Sequence, residues 1–529
     1  MSPSTSPALA APPFATVAAQ VLCAMFIMLV PALAVGHPFA FYDSDQYLSV
    51  GRAIWQAVFG AGAPGASYAA VALHPTANGA APLDAAAQLA AAAPAEKYNL
   101  YWLSARSPFY SAPLYALVHL GSVWLVAALQ ALIVAGVLRT LVGLAGLARP
   151  GAVYIALVAF LTAASSAAFY STFLMPDIFA AVAVLCAIIL VFYGDRLGRW
   201  GGLFFCLLLA AATSMHTTIL LLVVLACAVG GLVLWAFRQA PKQVAARLAG
   251  VVGGLALSMG LHVGLDKAVE MRFGEKPLNP PYVMARVLHD GPGRVYLAAA
   301  CPQAGYELCA YRHKKLDDAT QFIWEYDPDR SVFQFASAQG KRALIAEQWR
   351  FVLASIAYDP LAQARASLHN SLSQLVRFDL TPDLHAAYLA YVDGHYYPSS
   401  GMARVLPGLE RCRAEAGRCR GEGGWRILHA IHVAAIVASL VGSAWLIRRN
   451  PQARFRPATG AIQGLSDDQR LLGLTIVIGV IILGNAVMCG VLSGPSDRYA
   501  ARVIWLIPLA AALWAARAFD LRSATKEQA

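Results

Sequence analysis

The chain has 529 residues, of which 59% are hydrophobic and only 13% are charged. Soluble domains have about 25% charged residues, so this composition excludes an ordinary soluble protein and predicts a membrane protein. The net charge of +11 does not indicate a nucleic-acid partner, because the basic residues fall in short segments between apolar runs and form no basic patch with interleaved aromatic residues.

Ten apolar segments are candidates for membrane-crossing helices, each of which needs about 20 apolar residues. They cover residues 14–36, 122–146, 151–172, 177–194, 201–214, 217–237, 247–265, 426–447, 470–491 and 499–517. The sequence therefore predicts an all-α multi-pass membrane protein. Its predicted parts are an N-terminal transmembrane module (1–265) with a long loop at 37–121, a mainly helical soluble domain (266–425) and a C-terminal transmembrane module (426–529).

Lys and Arg residues occupy alternate loops, and the positive-inside rule places these loops in the cytoplasm. They include Arg139, Arg149, Arg196, Arg199, Arg238, Lys242, Arg247, Arg448, Arg449, Arg454, Arg456, Arg517 and Arg522. Both termini are then cytoplasmic, and residues 37–121 and 266–425 lie on the opposite side. For a bacterial inner membrane that side is the periplasm, so 266–425 is predicted to be a periplasmic domain. Within it, Pro360 is expected to divide a helical stretch from Ile345 to Leu380 into two helices.

Two pairs of cysteines lie close together in the predicted soluble domain. They are Cys301 with Cys309 and Cys412 with Cys419. An oxidising compartment favours a disulfide within each pair. Free thiols or a metal site are the alternatives, although neither spacing is the C-x-x-C of common zinc sites.

Polar side chains collect next to the apolar segments on the predicted outer side. They are Asp43, Asp45, Tyr47, Arg106, Tyr110, Asp177, His216, Arg498 and Arg502. A carboxylate at the rim of a bilayer is costly to dehydrate, which favours a functional role for the acids. If the helices form a bundle, these side chains can converge on one cavity below the soluble domain.

Each of these residues also has a structural explanation. Asp45 and Asp177 could cap helix starts, where a carboxylate satisfies amide donors. His216 could make a hydrogen bond between helices. Arg498 and Arg502 lie one helical turn apart, so they could either reach toward the membrane surface or grip a phosphate together.

Three elements, in this order, resemble the GT-C superfamily of polytopic glycosyltransferases. They are the acidic Asp43-Ser44-Asp45 with Tyr47 after the first span, the Arg106-Ser107-Pro108-Phe109-Tyr110 element, and Tyr170-Ser171 followed by Pro176-Asp177. The second is similar to an Arg-Pro-Pro-x-Tyr-Pro element but has Ser-Pro for the proline pair, and the first has Asp-Ser-Asp in place of adjacent acids. The resemblance reaches about residue 260, and the rest matches only in layout.

The resemblance implies an inverting transfer of a sugar from a polyprenyl-phosphate donor to a lipid, polysaccharide or protein acceptor of the cell envelope. Asp45 is the expected general base, with Asp43 assisting it or binding a divalent cation such as Mg²⁺ or Mn²⁺. Asp177 is expected to orient the acceptor or the base. The expected substrate-binding side chains are Tyr47, Arg106, Tyr110, His216, Arg498 and Arg502.

Two other functions are compatible with a polytopic chain. A transporter or flippase for a lipid or polysaccharide would place charges and broken helices at the membrane midplane, usually within repeated halves. The sequence shows no repeat, and its polar residues gather at one side. A scaffold whose soluble domain binds envelope components would give the membrane-edge acids no purpose.

Overall fold

The structure is a computed structural model that describes residues 13–59, 106–274, 276–324, 327–380, 422–450 and 464–527. Its helices are α1 (Phe14–Val35), α2 (Tyr42–Phe59), α3 (Pro108–Leu120), α4 (Val123–Leu144), α5 (Pro150–Ala164), α6 (Ala167–Thr172), α7 (Ile178–Tyr193), α8 (Arg199–Ser214), α9 (Thr217–Ala236), α10 (Pro241–Phe273), α11 (Tyr282–Asp290), α12 (Pro292–Ala300), α13 (Ala319–Trp324), α14 (Ala338–Tyr358), α15 (Pro360–Val376), α16 (Glu422–Arg449), α17 (Asp467–Leu492), α18 (Asp497–Ile504) and α19 (Leu506–Glu527). Within these ranges the only extended pairing is a single bridge between Phe39 and Phe173.

Eight helices of the described chain are long and apolar enough to cross a membrane. They are α1, α4, α7 with the short turn after it, α9, α10, α16, α17 and the consecutive pair α18–α19. The apolar helices α5 and α8 are shorter. The prediction of an all-α, multi-pass membrane protein is thus confirmed.

The predicted span at 151–172 is two helices instead of one. Helix α5 ends at Ala164, Ser165 is extended with φ −152° and ψ 172°, and α6 begins at Ala167. The Ser165 hydroxyl donates to the Leu161 carbonyl at 2.6 Å, which offers the backbone an alternative to continuing the helix. The break places α6 and the loop after it on the side of the molecule that carries the polar cluster described below.

The helix predicted at 247–265 is longer at both ends. It begins at Pro241, a residue that suits the first helical turn, and it ends at Gly274, whose φ of 78° is in the left-handed region. Residues 266–273, which the sequence placed in the soluble domain, therefore belong to a helix of membrane-crossing length.

The largest buried cluster is formed by the spanning helices around α7. Every residue of α7 from Ile178 to Tyr193 is buried, as expected for a helix that is apolar on all sides. Helix α17 packs against α7, α9, α15 and α19. Helix α7 contacts α4, α8, α9, α10 and α17, so it is the central helix of the bundle.

A second cluster of buried residues lies between Met284 and Val352, in helices α11 to α14. Cys301 and Cys309 form a disulfide at its edge. Pro360 begins α15 directly after α14 ends, which is the division that the sequence predicted. Helix α15 then packs along α17, so it connects this second cluster to the membrane bundle.

Candidate functional site

The site begins with Asp43, which is buried in the first turn of α2 with 6% of its surface exposed. Arg106, in the segment before α3, donates to one carboxylate oxygen of Asp43. Arg498, near the start of α18, donates to the other with an Nη1–Oδ2 distance of 2.7 Å. Asp43 therefore ties together three parts of the chain that are distant in sequence.

Burial alone would raise the pKa of Asp43, but the positive charges of Arg106 and Arg498 and their hydrogen bonds outweigh it. The pKa of Asp43 consequently lies below its ordinary value. A carboxylate with both oxygens held by guanidinium groups is ionised at neutral pH and is a weak proton acceptor. The expectation that Asp43 binds a divalent cation also conflicts with this geometry, because the cation would have to displace the arginines.

Asp177, directly before α7, lies on the other side of Arg498. Its Oδ1 is 3.4 Å from Arg502 Nη1 and 3.9 Å from Arg498 Nε. The side chain makes no capping hydrogen bond to α7. Capping therefore does not explain Asp177, and Arg498 lies close to two carboxylates.

Arg502 is almost completely buried, with 1% of its surface exposed. Its Nη2 donates to Thr218 Oγ1 at 3.2 Å and to Asn485 Oδ1 at 3.3 Å. These partners come from α9 and α17, so Arg502 is anchored inside the bundle. Such a position does not fit a side chain that reaches toward the membrane surface.

His216 caps helix α9. Its Nδ1 accepts a hydrogen bond from the Thr218 amide at 3.2 Å and lies 2.8 Å from the Thr218 hydroxyl. Burial, followed by the charge of Arg502, lowers the pKa of His216 to about 4, so the ring is neutral at pH 7. The partner of His216 lies in the helix that His216 caps, which differs from the expected hydrogen bond between helices. Thr218 also accepts a hydrogen bond from Arg502, so it connects His216 to the cluster.

Tyr47 and Tyr110 meet edge to face with ring centroids 5.2 Å apart. Close approach of α2 and α3 allows this, because a Cβ on Gly51 would lie only 2.1 Å from the Ser111 carbonyl oxygen. The Tyr110 hydroxyl donates to Gln130 Oε1 at 2.9 Å, so Tyr110 is fixed to α4. This contact makes Tyr110 a supporting residue in the described structure.

Aromatic residues that the sequence did not single out complete the site. Arg106 Cζ lies 5.1 Å from the Trp324 ring and 5.8 Å from the Tyr47 ring, so the soluble segment reaches the cluster through Trp324. Arg498 Cζ lies 4.8 Å from the Phe41 ring. No pattern in the sequence around Trp324 marks it, because its partner is far away along the chain.

Asp45 lies in α2, but its side chain is outside the described residues. Helix α2 begins at Tyr42, so Asp43 lies inside its first turn. Cys412 and Cys419 also lie outside the described residues. In the part of the chain that is described, no three His, Cys, Asp or Glu side chains come together as a metal site.

The described cluster combines three guanidinium groups with two carboxylates, which leaves a formal charge of +1. Buried arginines with fork geometry can bind a phosphate by paired hydrogen bonds. The arrangement is therefore suited to an anionic ligand at the edge of the membrane bundle.

No protein-family model, curated protein or solved structure matches the chain.

Proposed function

We propose that the chain is an integral membrane glycosyltransferase of GT-C type. It transfers a sugar from a polyprenyl-phosphate donor to a cell-envelope acceptor on the periplasmic face of a bacterial inner membrane. The observation that carries this proposal is the buried cluster in which Arg106, Arg498 and Arg502 surround Asp43 and Asp177.

In this proposal the arginines bind the phosphate of the donor. As the bond to the sugar breaks, negative charge grows on the leaving polyprenyl phosphate, and preorganised guanidinium groups stabilise that charge. Asp43 and Asp177 hold Arg498 from two sides, so its position is set before the donor arrives. An incoming phosphate can share or take over the donors that now face these carboxylates.

The transfer also requires a base for the acceptor hydroxyl. Asp45 takes the hydroxyl proton, the acceptor oxygen forms a bond to the anomeric carbon, and the carbon–oxygen bond to the phosphate breaks. Its electron pair leaves with the polyprenyl phosphate. The resemblance implies this role for Asp45, and Asp43 is the weaker candidate because arginines occupy both of its oxygens.

The lipid part of the donor fits the setting of the site. Arg502 binds Asn485 of α17 and Thr218 of α9, which are both helices of membrane-spanning length. A donor whose tail lies in the bilayer can bring its phosphate to this depth.

The test uses purified protein in lipid nanodiscs, polyprenyl phosphates that carry single hexoses or pentoses, and an envelope extract as the acceptor source. We expect release of polyprenyl phosphate from at least one donor by the wild type and by Arg330→Lys, a control in the soluble segment. Asp45→Asn should release much less.

A transporter would behave differently. It would leave every donor intact and would move a lipid-linked sugar across the membrane of a sealed vesicle. That pair of results would overturn the transferase proposal and favour a flippase.

A further inference from the structure

Helix α15 has its polar and apolar sides reversed relative to a helix in water. Its buried side chains are Gln363, Asn370 and Gln374, which are all polar. Its exposed large apolar side chains are Leu361, Leu368, Leu372 and Val376, which are 79%, 61%, 58% and 71% exposed. Their spacing puts these four on one face of the helix.

The buried polar side is satisfied by specific partners. Gln374 Nε2 donates to the Ser496 carbonyl at 2.9 Å, and the Ser496 amide donates to Gln374 Oε1 at 2.8 Å. Asn370 Nδ2 and Gln363 Nε2 donate to Asp290 at 3.0 and 3.3 Å. Rotating the helix to bury its leucines would remove the hydrogen-bond partners of these buried amide side chains. The orientation of α15 is therefore fixed.

The helix before α15 also exposes large apolar side chains. The end of α14 exposes Trp349 (58%), Leu353 (62%) and Ile356 (36%), which share one face by the same helical spacing. Seven large apolar side chains are thus exposed on two consecutive helices, which is more than isolated surface leucines would give. We call these residues of α14 and α15 the outward apolar face.

The position of α15 identifies what covers this face. The helix packs along α17, a helix of membrane-spanning length. Leu375 packs against the buried cluster of the spanning helices. Helix α17 itself exposes Leu483 (55%) and Val487 (51%), as a lipid-facing helix does.

We infer that the outward apolar face lies in the bilayer and contacts lipid acyl chains, although it belongs to the segment otherwise expected to be soluble. Arg365 and His369 are exposed on the same side of α15. A helix at the interface keeps such charged groups at the headgroup level while its apolar residues enter the acyl region. This inference does not depend on the proposed enzymatic function.

The test is nitroxide labelling of single cysteines at positions 361, 368, 372 and 376. The background variant keeps Cys301 and Cys309 and replaces the other cysteines with serine or alanine. The labelled protein is placed in vesicles of phosphatidylethanolamine and phosphatidylglycerol. Collision rates with oxygen, which concentrates in lipid, are compared with those of a water-soluble nickel complex.

Two positions serve as matched controls. Val487→Cys reports a lipid-facing site on α17, and Lys315→Cys reports an exposed site in the soluble segment. We expect the labels on α15 to give an oxygen-to-nickel ratio several-fold above that of Lys315 and close to that of Val487. Four positions on one face keep the test decisive if one variant fails to fold.

Two results would overturn the inference. Ratios equal to that at Lys315 would place the face in water. Low collision rates with both reagents, together with spin–spin broadening between labels, would show that a second copy of the chain covers it.

Discussion

Arg498 is the residue on which the site depends most directly. It contacts Asp43 through Nη1 and lies near Asp177 through Nε, so one planar group joins two carboxylates. Lysine carries the same charge but has no planar fork, and it cannot hold two carboxylates in a fixed geometry. Arg502 similarly donates hydrogen bonds to Asp177, Thr218 and Asn485.

We therefore expect Arg498→Lys and Arg502→Lys each to weaken binding of a polyprenyl-phosphate sugar, although the net charge is unchanged. Equilibrium binding of a labelled donor to protein in nanodiscs measures the effect. Arg330→Lys, which alters an exposed pair with Asp317, is the matched control and should bind normally. Donor affinity equal to that of the wild type in both site variants would show that these arginines do not bind the donor phosphate.

The second prediction distinguishes the role of Asp45 from that of Asp177. Asp45→Asn keeps the shape of the side chain and removes its basicity, so kcat should fall by roughly 10²–10⁴-fold with donor binding retained. Asp177→Asn should mainly raise the KM for the donor, because Arg498 and Arg502 lose an anchor. Steady-state kinetics of the two variants give both parameters. If Asp177→Asn abolishes turnover while Asp45→Asn is active, their roles are exchanged.

The sequence identified the members of this cluster but not their pairing. Asp43 lies 63 residues from Arg106 and 455 residues from Arg498, and no local pattern connects such distant positions. Trp324 was missed for the same reason. The residues themselves could be identified because charged side chains beside apolar segments are costly to dehydrate and therefore indicate a function.

At the scale of helices, apolar runs located the spanning segments well, since length and hydropathy alone decide whether a helix can cross a bilayer. The departures arise from local chemistry. Ser165 ends α5 early. Helix α10 continues until Gly274, whose left-handed conformation ends it. Helix α15, which we infer to contact lipid, was not marked by the sequence because its exposed apolar residues cover only one face.

The contact between α15 and α17 gives a prediction at this scale. A Cβ on Gly490 would lie 2.8 Å from the Asn370 carbonyl oxygen, whereas a Cβ on Gly479 of the same helix meets nothing within 4 Å. We expect Gly490→Ala to destabilise the protein by roughly 1–3 kcal/mol, as overpacking does. Gly479→Ala should be neutral or stabilising by up to about 1 kcal/mol, because alanine favours a helix.

Thermal unfolding of both variants in the same detergent measures the difference. An equal midpoint for Gly490→Ala and Gly479→Ala would show that α15 does not pack closely on α17.

At the scale of the whole molecule, charged residues gather at two opposite ends. The end away from the Asp43 cluster has Asp195 paired with Arg470 at 2.6 Å and with Arg247 at 3.1 Å. Arg517 lies 3.2 Å from Asp468 in the same region. This end carries the basic loops that the positive-inside rule assigns to the cytoplasm.

We accordingly expect a reporter fused at about residue 340 to give a periplasmic signal, and fusions near residue 240 to give a cytoplasmic one. Paired alkaline phosphatase and fluorescent-protein reporters measure the two sides. A cytoplasmic signal at 340 would place the Asp43 cluster and the Cys301–Cys309 disulfide on the reducing side.

Helix α17 joins the two charged ends, since Arg470 belongs to one and Asn485 to the other. At a rise of about 1.5 Å per residue, these two positions are separated by about 22 Å along the helix axis. The hydrocarbon layer of a typical bilayer is about 30 Å thick. Because α17 continues to Leu492, a bilayer that covers the whole helix would place the polar end that holds Arg502 below the level of the headgroups. We therefore expect access to this end to depend on the chain length of the surrounding lipids.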